Sequence, residues 1–138
     1  MPITVRAARV TDYLLMKEFD VFAGDRRMDM ERGELLVADY KAHLCAGYLK
    51  LTSNEFFNKP LISLVVINEA YRSRGIGSQL IIEAIERASW HEVYLTTEAR
   101  NTGMQRLASK LGFLEVGLVR GLNFDGEDEL VFRYQTDQ

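Results

Sequence analysis

Val65-Val66-Ile67-Asn68-Glu69-Ala70-Tyr71-Arg72-Ser73-Arg74-Gly75-Ile76-Gly77-Ser78-Gln79-Leu80 is the stretch on which the fold turns. It starts inside the apolar run Leu-Ile-Ser-Leu-Val-Val-Ile at residues 61–67, a pattern that suits a central strand covered on both faces. A polar turn follows. The apolar period then becomes helical, with Ile76, Leu80, Ile81, Ala84, Ile85 and Ala88 on one stripe. Residues 93–97 read as the next strand, so a β-α-β crossover over 61–97 makes the two strands parallel neighbours. Where the helix opens, unpaired N–H donors and a partial positive charge face outward. Gly75 and Gly77 would let an anion approach those donors, and Arg72 and Arg74 add positive charge at the rim. The segment thus has the chemistry of a pyrophosphate cradle. It is not a dinucleotide fingerprint, which would want glycine at Leu80, nor a P-loop, which would want Gly-Lys-Ser/Thr.

On the N-terminal side, residues 3–7 read as a strand and Thr11-Asp12 as the N-cap of a helix continuing through Leu14, Leu15, Glu18 and Phe19. Residues 24–33 are polar and ambiguous between loop and short helix. Residues 34–40 and 43–51 alternate as two strands of an antiparallel hairpin. On the C-terminal side, residues 101–111 form a helix with Met104, Leu107, Ala108 and Leu111 inward and Gly112 at its end. Strands at 113–119 and 129–134 close the chain around a Gly-Asp-Gly-rich turn. The order predicts a mixed α/β domain over residues 1–138, with a mostly antiparallel central sheet, one β-α-β crossover and flanking helices.

A chain of 138 residues with 47% hydrophobic and 27% charged residues suits one globular domain. No run of about 18 apolar residues is present, and the N-terminus lacks a signal-peptide pattern, so a cytoplasmic protein off the membrane is expected. The single cysteine, Cys45, excludes an intrachain disulfide and a multi-thiolate zinc site, and no metal is expected. Its alternating flanks read as a strand that buries the thiol. A net charge of −3 without a basic tail argues against general nucleic-acid binding. The charge is nevertheless uneven. Residues 70–110 are mildly basic, whereas residues 121–138 hold Asp125, Glu127, Asp128, Glu129 and Asp137 against Arg133.

Arg72-Ser73-Arg74-Gly75-Ile76-Gly77, placed after Val65-Val66-Ile67, resembles the acyl-CoA motif Gln/Arg-x-x-Gly-x-Gly/Ala of the GCN5-related N-acetyltransferase (GNAT) superfamily. Asn101 with Leu107-Ala108-Ser109-Lys110-Leu111-Gly112-Phe113 resembles the family's Asn-helix-Lys-Leu-Gly-Phe segment, and the opening from Arg6 to Asp12 is similar too. The resemblance spans residues 3 to 134. It implies transfer of an acetyl group from acetyl-CoA, or of another acyl group from its CoA thioester, to a small-molecule or protein amine by direct attack. It implies that backbone groups of Val65, Val66 and Ile67 pair with the pantetheine, with an N–H near Val66 stabilising the oxyanion. Arg72, Ser73, Arg74, Gly75, Ile76, Gly77 and Ser78 would hold the pyrophosphate. Asn101 would meet the pantetheine end, cap its own helix, or do both. A homodimer is also compatible with the family.

The sequence departs from the family at both proton-transfer roles. Many members carry a tyrosine at the position of Ala108, to protonate the leaving thiolate. Here water, Ser109 or Tyr134 would take that part, or nothing would. The amine must lose a proton before it attacks. Ser63 stands where a carboxylate base might be sought, leaving Glu55, Glu69, Glu98, His43 and His91 as candidates with no choice among them. These departures keep a non-catalytic acyl-CoA-binding or sensing module as the alternative. Residues 24–34 and 121–129 should flank the acceptor, and their carboxylates would attract a cationic amine if they are more than solvated loops. Phe56-Phe57 is expected to anchor the core, or else to line the acceptor pocket or an interface.

Overall fold

The computed structural model describes residues 2–20 and 25–136. Strand β1 (Ile3–Ala7) is followed by two short helices, α1 (Asp12–Met16) and α2 (Arg27–Glu31). Next come β2 (Leu35–Tyr40), β3 (His43–Phe56) and β4 (Lys59–Ile67). A 3-10 turn at Glu69–Tyr71 leads into α3 (Ile76–Ala88), β5 (Glu92–Glu98), α4 (Thr102–Lys110), β6 (Leu114–Val119) and β7 (Glu129–Gln135). The strands form one sheet in the order β1-β2-β3-β4-β5-β7-β6. Only β4 and β5 run parallel, so the expected antiparallel beginning and single crossover are both present.

Helices cover the sheet unequally. The stripe Ile76, Leu80, Ile81 and Ala84 of α3 and Ala108 of α4 pack with Leu36, Leu49, Ile62, Val93, Leu95 and Phe132 into one core. On the opposite face, Met16 near α1 and Met30 of α2 pack with Leu35, Val37, Cys45, Tyr48 and Val66 into a second core. No described residue of β5, β6 or β7 joins that second core, so this half of the sheet is without helical cover there among the described residues.

Three sequence expectations shift. Helix α1 ends at Met16, because Glu18 and Phe19 turn back with tighter bonds to Leu15 and Met16. Thr11 makes no capping bond. Instead the Asp12 carboxylate accepts from the Arg9 N–H at 2.7 Å and from both guanidinium nitrogens of Arg6 at 2.8 Å. Strand β3 runs on to Phe56, because β3 and β4 form a ribbon closed by Phe57 and Asn58. Those two residues have φ of 54° and 57°, as a type I′ turn demands. Phe56 packs against Phe57 and Tyr94, but neither Phe belongs to a core, and Phe57 is 81% exposed. The pair therefore does not anchor the interior. Left-handed backbone is costly for a bulky side chain and cheap for glycine. Phe57→Gly is expected to stabilise the protein by about 1 kcal/mol, read as a higher denaturant midpoint at unchanged slope.

The expectation of a β4 covered on both faces holds only in part. Ile62 sits in the first core and Val66 in the second, while Leu61, Ser63, Leu64, Val65 and Ile67 are half-buried. The reason is how β4 meets its parallel neighbour, which also makes the functional site.

Candidate functional site

β4 and β5 are in register only at Leu61–Tyr94 and Ile62–Leu95. Beyond Ile62 the strands part. The β3–β4 ladder is irregular at the same point, between the pairs Leu51–Ile62 and Lys50–Leu64, so Ser63 is the extra residue of a bulge. The bulge bends β4 away from β5 and opens a cavity of about 230 Å³ in the gap. Side-chain alternation assigns the walls to opposite faces of the sheet. Ile62, Val65 and Leu95 lie on the face of the first core, as do Met104 and Asn101 at the start of α4. Leu64, Thr96, Glu98 and Glu129 lie on the other face. The cavity thus draws its lining from strand residues of both faces.

Backbone polarity along β4 is set by its ladder with β3. Asn68 N–H donates to the Ala46 carbonyl at 2.8 Å, and the Val66 carbonyl lies 3.0 Å from the position that a Cβ on Gly47 would take. Residues 66 and 68 therefore hydrogen-bond toward β3. By alternation Val65 and Ile67 direct their N–H and C=O groups toward the gap, where no strand meets them.

At the end of β4, Asn68 caps the 3-10 turn by accepting from Ala70 N–H at 3.0 Å. The chain then enters α3 through Ser73 and Gly75, both left-handed with φ of 65° and 83°. Left-handed residues in such a turn can bring successive N–H groups to one side, the arrangement of anion-binding concavities. Gln79 is the first residue of the helix to close back, onto the Gly75 carbonyl. Ile76, Gly77 and Ser78 therefore present N–H groups at a helix N-terminus. The two glycines differ in role. A Cβ on Gly75 would meet nothing within 4 Å, so its requirement is the positive φ. A Cβ on Gly77 would stand 3.1 Å from Leu107 Cδ2, so that glycine lets α3 and α4 approach. Arg72 is exposed and only loosely paired with Glu69 at 3.9 Å, while Arg74 lies over the Tyr40 ring at 5.3 Å. Gly75→Ala is expected to weaken acetyl-CoA binding about tenfold by calorimetry, because an L-residue pays roughly 1–2 kcal/mol for that backbone.

Asn101 caps α4 by accepting from Met104 N–H at 3.0 Å, which leaves its amide NH2 as a donor at the cavity. Ala108 is fully buried in the first core. Ser109 is exposed, and Tyr134 packs on Phe113 and Gly112; neither lines the cavity. Of the five base candidates only Glu98 lines it. Glu55 lies beside Arg32, Glu69 is on the surface, His43 packs on Tyr71 and His91 on Trp90. Ser63 lies in the cavity wall at the bulge.

The carboxylates expected around the acceptor are mostly engaged elsewhere. Asp25 pairs with Arg27, and Asp29 with Lys50 at 3.2 Å and Arg26 at 3.7 Å. Asp125 pairs with Arg100, and Asp128 accepts from Gly121 N–H. From these two segments only Asn123 and Glu129 line the cavity. Gly24 and Asp137, which belong to the acidic segments, lie outside the described residues. Cys45 is buried, and burial pushes its thiol up to about 12, which removes it as a nucleophile. Among the described residues no group of three or more metal-ligating side chains forms, and no helix is long and apolar enough to cross a membrane.

A split parallel strand pair and a free backbone edge thus lie one helix opening away from an N–H cradle. The sequence matches the acetyltransferase (GNAT) family over residues 8–113, and the chain belongs to that family. Solved structures agree in fold. A GNAT-family acetyltransferase from Bacillus cereus aligns with a TM-score of 0.85 at 20% identity, covering 99% of both chains. A putative streptothricin acetyltransferase from Bacillus anthracis, in complex with acetyl coenzyme A, aligns at 0.82 and 16%, covering 99% of this chain and 100% of that one. The ribosomal-protein-S18-alanine N-acetyltransferase of Escherichia coli aligns at 0.78 and 17%, covering 99% and 95%. No curated protein matches the sequence significantly. The protein is thus an acetyltransferase by family.

Proposed function

We propose that this chain acetylates a primary amine that enters from the face of the sheet opposite α3 and α4. The observation that carries the reading is the cavity lined by residues of both faces where β4 leaves β5. Acetyl-CoA, when bound, supplies an acetyl group activated as a thioester. Gly75, Ile76, Gly77 and Ser78, with the backbone of Arg72, Ser73 and Arg74, hold its pyrophosphate. Val65 and Ile67 offer backbone groups along the gap, and Asn101 donates its amide NH2 near the same end. The oxyanion donor, expected from the sequence at Val66, is assigned instead to the Val65 or Ile67 N–H, because residue 66 bonds toward β3. Glu98 is the carboxylate placed to take a proton from the incoming amine, directly or through one water. Among the described residues neither Ser109 nor Tyr134 lines the cavity, which favours water as the proton source for the leaving thiolate.

The enzyme is proposed to be cytoplasmic, in keeping with its unpaired buried thiol. A homodimer would use edge strand β6, where Leu114, Val116 and Leu118 are exposed. Thiol release from acetyl-CoA, measured across a broad amine panel, tests the reading. Turnover with any amine rejects the alternative of a non-catalytic acyl-CoA module, which rests on Ala108. Cofactor binding without turnover for every amine rejects the proposal.

A further inference from the structure

We propose that Glu98 and Glu129 select an acceptor carrying two positive charges, an amine with a second ammonium or guanidinium group on a flexible spacer. The inference rests on the acetyl-transfer reading above. Glu98 ends β5 and Glu129 begins β7, and the two are direct cross-strand partners. Both point to the uncovered face, because Val93, Leu95, Leu130 and Phe132, which alternate with them, enter the first core. Both line the cavity. Directly opposed residues hold their Cβ atoms about 5 Å apart, and like charges so placed oppose folding. The fold therefore keeps two carboxylates together at the mouth of its reaction cavity at a cost in stability.

Their described neighbours compensate the charge only in part. Asn123 donates its amide to Glu129 at 3.0 Å and to the Glu127 carbonyl at 3.0 Å, fixing the Glu129 carboxylate without neutralising it. Among the described residues, Arg100 is the cation paired with Glu98, at 3.3 Å, and it is shared with Asp125, so Glu98, Glu129 and Asp125 have one guanidinium among them. A single ammonium answers only one of the two remaining negative charges, and that answer is withdrawn when the amine gives up its proton to react. A second cation on the acceptor keeps the mouth compensated throughout. A carboxylate near the reacting amine would be repelled.

The test uses the full-length protein saturated with CoA and calorimetry with three ligands of equal chain length: a four-carbon α,ω-diamine, n-butylamine and the corresponding ω-amino acid. The diamine is expected to bind about tenfold more tightly than the monoamine, with the amino acid weakest and the differences shrinking as salt is added. Glu98→Gln and Glu129→Gln should each remove most of the diamine preference while leaving acetyl-CoA affinity in place. Neither change should lower the melting temperature, since each relieves like-charge opposition. Equal binding of diamine and monoamine, no binding of any amine, or a preference that survives both substitutions overturns the inference. Binding preference is read without turnover, so the two readings can fail separately. A glutamate-dependent preference with no acetyl transfer to any amine keeps this inference and rejects the enzymatic one, and turnover without the preference does the reverse.

Discussion

Val65→Pro is expected to give a folded protein whose acetyl transfer is slower by about a hundredfold, whereas Val66→Pro, one residue on, fails to fold stably. The contrast comes from where each N–H points. Val66 faces β3 in a paired ladder, so proline removes a sheet hydrogen bond in the middle of a strand and costs about 3 kcal/mol or more. Val65 faces the gap, where β5 has already departed, so its N–H has no partner strand to lose. The residue before it, Leu64, is already extended, the conformation that a following proline demands. What Val65→Pro does remove is one of the two N–H groups proposed to meet the negative charge that develops during transfer. Single-turnover rates and thermal melts, taken on both variants, decide the matter. An active Val65→Pro protein would move the donor role to Ile67 alone.

Arg6→Ala is expected to cost about 3 kcal/mol at neutral pH. Arg6 holds two carboxylates: Asp12 with two bonds of 2.8 Å, and Asp39 at 2.8 and 3.1 Å. Asp39 in turn accepts from the Cys45 N–H at 2.9 Å, which fixes the left-handed kink of β3 at Cys45. The arginine therefore ties β1, the start of α1, β2 and β3 together. Truncation strands Asp12, which is 2% exposed, beside Asp39. The pH dependence has a definite sign. Burial pushes the Asp12 carboxyl up, but the Arg6 guanidinium and the Arg9 N–H outweigh it and hold the group below its ordinary value. A depressed carboxylate contributes its stability above the unfolded value near 3.9 and loses it as pH falls through the folded value. The gap in stability between wild type and Arg6→Ala should thus be full at pH 7 and close below about pH 4, as denaturant melts across that range would show. A gap independent of pH would mean that the pairs contribute nothing.

The elements themselves were legible because each is written in local periodicity. The stripe from Ile76 to Ala88 reads as a helix and buries as one, and the cradle at its opening follows from two arginines and two glycines in a strand-to-helix turn. Features that arise between elements were not legible. The run at 61–67 carries no mark of the bulge at Ser63, which comes from how β3 and β5 each meet β4. Glu98 and Glu129 stand far apart in the chain and become neighbours only because β7 inserts between β5 and β6. The two glycines looked equivalent as letters, yet one answers a dihedral angle and the other a leucine on α4. Phe57 gave no turn signal, since phenylalanine has no preference for the conformation that it occupies.

The junction of β4 and β5 at just two residue pairs also bears on how the molecule moves. Mechanically the sheet is two plates, β1 to β4 and β5 to β7, stitched at one end and unlaced at the other. A donor lying along the open edge would supply the missing lacing from outside the chain, so its arrival should stiffen the enzyme as a whole. Amide exchange should record this residue by residue. On addition of acetyl-CoA, Val65 and Ile67 should slow sharply while Val66, already laced to β3, keeps its pace. On that outcome the enzyme would report its own loading through the rigidity of its backbone.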